Sequence, residues 1–508
     1  MGGGNGELKG PDLKAIGVDV TELVEGGMLL GHAEGGAVLL ARIDGAILAV
    51  DATCTHYGGP LAEGVIEDGR VHCPWHHACF DLRTGEAAQP PALKPLDCWT
   101  VEESNGRIRV TGKVGPRLPT RSPARTPESV AIIGAGAAGD SAADTLRTEG
   151  YHGPITLFDH DDDSPCDRPN LSKDYLAGNA PPEWIPLRAP DFFETKRIEV
   201  VRAEVTGLDT GTRTIHWGAG QERSFGAIIL ATGAEPVRLQ VPAEDGARVF
   251  YLRTLADSRA IVAAAKDSKR VVVVGASFIG LEVAASLRAH ELEVHVVAPE
   301  EMPLARIMGD ELGRFVHDLH QTKGVRFHLG RTVSSIAEDH VVLDDDSRID
   351  SDFVVVGIGV RPRASLAEAA GLEVEKGIVV DEQLRTSAQG IWAAGDTARW
   401  PDPRLGTNVR VEHWVVAQRM GQHAARNVLG ASEPFHAAPF FWSQHYEAAI
   451  AYVGHAPDWD DADLDGKPEG LDCAVTFRRD GRRLAVATVF RDELSVRTEI
   501  EMERDASR

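Results

Sequence analysis

The sequence predicts a multidomain chain: an all-β domain, then two nested α/β units of the doubly wound kind, then an α+β domain. Three observations predict it. Residues 1–112 alternate short apolar runs with Asp-Gly and Asn-Gly pairs. A Pro- and Arg-rich break follows at 113–127. Beyond the break, an apolar strand running into a glycine turn and an apolar helix occurs twice. At about 150 residues per domain, 508 residues suit three to four domains. The expected boundaries are 1–112, a linker at 113–127, one α/β domain from 128–241 and 352–433, a second inserted at 242–351, and a C-terminal domain at 434–508.

Composition narrows the function classes. Lys and Arg number 53 against 77 Asp and Glu, a net charge of −24. So acidic a surface repels phosphate backbones and anionic lipid, which excludes nucleic acid and membrane faces as expected partners. With 43% hydrophobic residues, disorder is not expected. No apolar run approaches the ~18 residues of a spanning helix. The stretch from Met1 has no apolar leader core, and Gly6 stands where a myristoylation signal wants Ser or Thr. The expected location is cytoplasmic. Six cysteines do not make a disulfide framework.

In the first domain, Val38–Leu40 and Ile47–Val50 flank Asp44-Gly45, and Asp68-Gly69 and Asn105-Gly106 repeat the hairpin device. Between these turns stand Cys54-Thr-His56 and Cys73-Pro-Trp-His76, a C-x-H-x16-C-x2-H pattern. Two loops that each supply a thiolate and an imidazole suit a 2Fe–2S cluster with Cys54 and Cys73 on one iron and His56 and His76 on the other. Buried unpaired cysteines or a zinc site are the plainer alternatives, although zinc ligands are usually closer in sequence. The spacing, with Ala78-Cys79-Phe80-Asp81 after it, resembles the Rieske-type ferredoxins. The high-potential members carry an extra cysteine in each loop, where this sequence has Gly59 and Trp75. The resemblance is thus to the lower-potential, ferredoxin-like branch. His77 stands where that family usually has Gly, and the spacing favours His76 as the ligand.

After the linker, Ser129–Ile133 leads into Gly134-Ala-Gly136-Ala-Ala-Gly139 and a helix. Such glycines let backbone N–H groups approach a pyrophosphate, and an acid some 20 residues on binds the ribose. Asp159 or Asp161, after Ile155–Phe158, is that acid. The second copy, Gly275-Ala-Ser277-Phe-Ile-Gly280, has Ser at the middle position. Its second strand ends near Glu300 and Glu301 without an Arg pair for a 2′-phosphate (Arg306 is the nearest), so NADH is preferred over NADPH.

Two such units, one within the other, resemble the flavin-containing pyridine-nucleotide reductases. Ala231-Thr232-Gly233, Gly357-Ile-Gly359-Val-Arg361-Pro362 and Ile391-Trp-Ala-Ala-Gly395-Asp396 follow in that family's order. The resemblance implies that Thr232, Gly233 and Gly359 line the nucleotides and that Asp396 binds the flavin sugar chain. Cys166 has no nearby partner, which removes the dithiol branch. Pro165-Cys-Asp-Arg168-Pro-Asn-Leu-Ser-Lys173 resembles instead a segment of oxygenase-coupled ferredoxin reductases and apoptosis-inducing-factor-like flavoproteins. It implies Arg168 and Lys173 beside FAD, Lys173 pairing with Glu282, and Trp414 in Val411-Glu-His-Trp414 near the flavin ring. Core packing is the plainer reading of Trp414. Asp461-Ala-Asp463-Leu-Asp465-Gly466, with Asp472, matches a calcium loop in spacing, but Pro468 and the strand-like flanks favour an acidic hairpin.

The whole pattern resembles the Rieske-fused apoptosis-inducing-factor-like flavoproteins. That resemblance implies electron flow from NADH through FAD to a fused 2Fe–2S cluster and on to an acceptor, an oxygenase being one candidate. A self-contained reductase of a small molecule and a redox-sensing interaction protein are the alternatives, and a homodimer is left open.

Overall fold

The computed structural model describes residues 9–506; the stretch read for a leader or a lipid at Gly2 lies outside them. The described chain divides into two compact units, residues 9–121 with 491–505, and residues 122–490.

The first unit is built on a six-stranded antiparallel sheet, in the order Val18–Asp19, Arg107–Gly115, Cys98–Ser104, Ala46–Asp51, Gly36–Ile43 and Met28–Ala33. Side chains of a strand alternate between faces, and Gly36–Ile43 serves two cores this way. Leu39, Ala41 and Ile43 pack with Phe80, while Val38 and Leu40 pack with Trp99 and Ile108. Asp44 and Gly45 have φ of 52° and 75°, the doubly positive turn expected of this pair. A four-stranded sheet, Val65–Glu67, Arg70–His72, Cys79–Asp81 and Ala87–Gln89, holds the second cysteine loop between its central strands.

Two features depart from expectation. Residues 113–115 extend the strand Arg107–Gly115, and the next stretch is fastened rather than free. Arg117 N–H donates to Thr84 at 2.7 Å, and Arg121 grips Glu86 through two hydrogen bonds of 2.7 Å. Residues 492–506, expected within the C-terminal domain at 434–508, form the helix Asp492–Ala506 and fall with the first unit. The helix buries Val496, Met502 and Glu499, and Glu499 Oε2 meets Nδ1 of the fully buried His77.

In the second unit, a parallel sheet runs Ile198–Arg202, Ile155–Asp159, Val130–Ile133, Ala227–Leu230 and Ile391–Ala393. Its central strands are apolar on both faces, as a covered parallel sheet requires. A second parallel sheet runs Val249–Tyr251, Phe353–Val356, Arg270–Val274, Glu293–Ala298 and Val325–Leu329. The helix Ala137–Thr148 lies against Trp414–Val428 at a contact made of small residues. A Cβ at Gly421 would sit 2.1 Å from the Ala138 carbonyl oxygen.

Five antiparallel strands follow, Phe440–His445, Ala448–Gly454, Arg482–Val489, Asp472–Arg479 and Asp461–Lys467. The aspartate-rich run is the edge strand Asp461–Lys467, paired in register with Asp472–Arg479, so Asp461, Asp463 and Asp465 are spread along one face of an extended backbone and not wrapped as a loop around an ion. Among the described residues no helix is long and apolar enough to cross a membrane.

Candidate functional site

The two cysteine loops lie at the ends of short strands, and their side chains divide by depth. Cys54 and Cys73 are 3% and 1% exposed, whereas His56 and His76 are half-buried. The two thiols hydrogen-bond each other, which favours ionisation of Cys54 and disfavours that of Cys73. The imidazoles meet through their Nδ1 atoms at 3.2 Å, with ring centroids 5.0 Å apart and planes at 85°. Burial holds His56 down at about 3, so it is neutral, the form that ligates iron. A thiolate pair inside and an imidazole pair outside fits a binuclear cluster with different ligands on its two irons. Among the described residues no three His, Cys, Asp or Glu side chains gather at one mononuclear site. Gly59 is close-packed here, since a Cβ would lie 2.6 Å from Cys73 Sγ.

His77 explains why glycine is usual after the second histidine. Its φ is +59°, in the left-handed region that costs an ordinary residue about 1–2 kcal/mol. The contact with Glu499 is available to His77 and would not be to glycine.

The first glycine turn stands between parallel strands. Gly134 has φ +103°, and a Cβ there would meet the Ala231 carbonyl oxygen at 2.3 Å; one at Gly139 would meet the Gly134 oxygen at 1.8 Å. The turn walls two cavities that share Gly136, Arg168, Ala231, Gly233 and Arg253. One, of 910 Å³, continues past Asp159, Asp161 and Thr232. The other, of 780 Å³, continues past Lys173, Ser277, Glu282, Gly359, Asp396 and Trp414. Asp159 is engaged by Arg202, and burial raises its carboxyl; Asp161 is half-buried beside Arg168 at 3.9 Å. Thr232 Oγ1 donates to the Arg363 carbonyl at 2.6 Å and so pins the cavity floor.

Charge completes the fit to a dinucleotide. Burial and the neighbouring Arg253 lower the Arg168 guanidinium, so two cations face the shared wall where a pyrophosphate would sit. Arg253 spends one nitrogen on Asp396 at 2.7 Å, and its buried Nε has no protein partner. A glycine cradle, two guanidiniums and cavities on either side suit FAD. Arg253 carried no motif and was missed by sequence reading; it follows the strand Val249–Tyr251, which no pattern tied to the first glycine turn.

The second turn differs at its middle position for a local reason. Ser277 is the N-cap of Phe278–Ala289; its Oγ accepts from Gly280 N–H at 3.3 Å and donates to the Gly357 carbonyl at 2.8 Å. Gly275 and Gly280 are close-packed, with a Cβ at each meeting backbone oxygen at 2.4 and 2.2 Å. Glu300 is exposed and lies outside both cavities, while Arg306 lines the 780 Å³ one. Lys173 and Glu282 are together: Nζ to Oε2 is 2.8 Å, with side chains 16% and 5% exposed. Ser172 and Ser443 each donate to Glu282 at 2.6 Å. Trp414 lines the cavity and also touches the core around the first sheet.

Cluster loops in one unit and a charged, two-cavity nucleotide site in the other define a flavin-type nucleotide oxidoreductase joined to an iron–sulfur domain. The Rieske [2Fe-2S] domain matches residues 16–100. The chain belongs to the pyridine nucleotide-disulphide oxidoreductase family, which matches residues 128–421. It is 32% identical over 480 residues to human apoptosis-inducing factor 3, covering 90% of this chain and 79% of that one. To the ferredoxin–NAD(+) reductase component of the anthranilate 1,2-dioxygenase system of Burkholderia cepacia it is 33% identical, covering 70% and 90%. Among solved structures, the covalent putidaredoxin reductase–putidaredoxin complex is similar at a TM-score of 0.71 and 31% identity, over 75% of this chain and 94% of that chain.

Proposed function

We propose that this chain is an NADH-dependent oxidoreductase that carries electrons from NADH, through FAD, to its own Rieske-type cluster and on to an acceptor protein. One observation carries the reading: the chain that holds the C-x-H and C-x2-H loops also holds a dinucleotide cradle whose far end closes on the Lys173–Glu282 pair. The relatives' names, a dioxygenase-system reductase and a reductase bound to its ferredoxin, support an oxygenase as the acceptor. Six cysteines in 508 residues, with no disulfide framework in their spacing, suit a reducing, cytoplasmic setting. The sheet that takes Ile391–Ala393 after the second sheet's strands supports a FAD domain at 128–241 and 352–433 with the NADH domain at 242–351 inserted.

FAD, when bound, supplies the change from two-electron to one-electron chemistry. The protein groups bind and orient. Gly134, Gly136, Gly139, Arg168 and Arg253 would hold the pyrophosphate, and Asp396 the sugar chain. Lys173, neutralised by Glu282, presents an ammonium beside the ring without leaving a lone buried charge. Trp414, which lines the same cavity, would pack against the ring. Gly275, Ser277, Gly280 and Gly359 would form the NADH side, with the ribose reaching out of the cavity toward the exposed Glu300.

Anaerobic titration of the purified protein with NADH, followed by absorbance and electron paramagnetic resonance, tests the reading. Flavin bleaching accompanied by the signal of a reduced 2Fe–2S cluster is expected. A flavin that bleaches while the cluster stays oxidised overturns it.

A further inference from the structure

The mechanism uses one face of Glu282 and leaves the other unexplained. Oε2 takes Lys173 and Ser172, but Oε1 takes the hydroxyl of Ser443, and a line of side chains begins there. Ser443 Oγ lies 3.0 Å from His445 Nε2. His445 Nδ1 lies 3.2 Å from His320 Nε2, and His320 Nδ1 lies 3.4 Å from the Tyr446 hydroxyl. Ser443, His445 and His320 are at most 1% exposed; Tyr446 is half-buried, with Lys323 over its ring at 5.5 Å. A line of hydroxyls and imidazoles thus runs from a cavity wall to the protein surface.

Every link in it is ambivalent. A neutral imidazole has one donor and one acceptor nitrogen, and a hydroxyl has both functions in one atom. With Glu282 ionised, Tyr446 donates to His320, His320 to His445, His445 to Ser443 and Ser443 to Glu282. With Glu282 protonated, every bond reverses. The two arrangements differ by one proton gained or lost at the surface. Burial keeps the links neutral: it pushes His445, with help from Lys173, down to about 3, lowers His320 and raises the Tyr446 hydroxyl. Burying four polar side chains in a row is costly unless each is hydrogen-bonded, and no packing need asks for them.

We propose that Glu282, Ser443, His445, His320 and Tyr446 form a proton relay between the flavin cavity and solvent. This deepens the reading above and rests on it. NADH delivers two electrons and one proton as hydride, whereas iron–sulfur clusters accept electrons one at a time and no proton. The balance is NADH plus two oxidised clusters giving NAD⁺, H⁺ and two reduced clusters. One proton must leave the buried flavin for each NADH. Glu282 receives it on the cavity side, and Tyr446 releases one to water.

The holoprotein is reduced with one equivalent of NADH and reoxidised anaerobically with ferricyanide, a one-electron acceptor that takes no proton. A pH-indicator dye in weak buffer reads proton release, and absorbance reads the flavin. Two variants are compared with the native chain: Tyr446→Phe, which removes only a half-buried hydroxyl, and His445→Gln, which keeps a hydrogen-bonding group but does not relay. Bleaching by NADH should be unchanged, while proton release and reoxidation slow about tenfold or more, with a larger D₂O effect. For His320→Gly, added imidazole should restore the rate. Histidine ¹⁵N NMR of the resting holoprotein at pH 6 should find both rings neutral; an imidazolium, having no acceptor nitrogen, overturns the relay. Native rates and isotope effects in both variants also overturn it, with the flavin reading intact. A protein in which NADH bleaches no flavin overturns that reading and the relay together.

Discussion

Single residues set the behaviour of the flavin-side segment. Asp167 precedes Arg168 in the stretch that ends at Lys173, and burial raises its carboxyl to about 7 against the pull of Lys173. A carboxyl raised in the folded state holds a proton that the unfolded chain gives up. Its stabilising contribution is full below the ordinary pKa near 4 and is lost as pH rises through about 7. Asp167→Asn should therefore raise the melting temperature at pH 8 and leave it nearly unchanged at pH 4. Thermal melts across that range check this, and an equal gain at both ends would refute it. At this scale the sequence was legible where chemistry is local. The glycines of both turns, the meeting of Cys54 with Cys73 and of His56 with His76, and Lys173 with Glu282 each follow from a short motif. Arg253, Ser443, His320 and His445 were not legible, because their roles arise only when a helix and strands distant in sequence are packed side by side.

At the scale of elements, Asp492–Ala506 matters most. Its Glu499 is 3% exposed and meets His77, the residue after His76 and one held at positive φ. Breaking a buried pair costs about 3 kcal/mol or more, so Glu499→Leu should release the cluster's visible absorbance at a lower temperature. His77→Gly relieves the backbone and removes the partner at once. In the double variant the loss should then be smaller than in Glu499→Leu alone, and equal loss would refute the coupling. Residues 492–506 were expected only as the end of a C-terminal domain at 434–508, and nothing near residue 499 signals residue 77. By contrast, the Asp-Gly and Asn-Gly hairpins and the strand–turn–helix units formed where expected, since turn chemistry and apolar period act within a few residues.

Across the whole molecule, buried neutral histidines set the acid limit. Burial lowers His320, His413, His423 and His445 in the second unit, to about 3 for His413 and His445 and about 4 for His423. Each stays neutral in the folded state but takes a proton on unfolding below its ordinary pKa near 6.5. The stability they lend is present above that pH and lost as pH falls. Carboxyls that burial raises, at Asp140, Asp159, Asp167 and Glu412, work the other way and take back part of this, while each histidine left unmatched is worth about 1.4 kcal/mol per pH unit. Against a domain stability of about 5–15 kcal/mol, the second unit should unfold cooperatively by about pH 4. Circular dichroism against pH checks it; a native signal at pH 3.5 would refute it.

The union of residues 9–121 with Asp492–Ala506 also bears on how the protein is made. Domains fold as they leave the ribosome, N-terminal parts first. Here the first unit to emerge lacks its closing helix until translation has passed through the entire second unit. The loop that carries Cys73 therefore goes without the contact between His77 and Glu499 through most of synthesis, and that contact is among the last the chain makes.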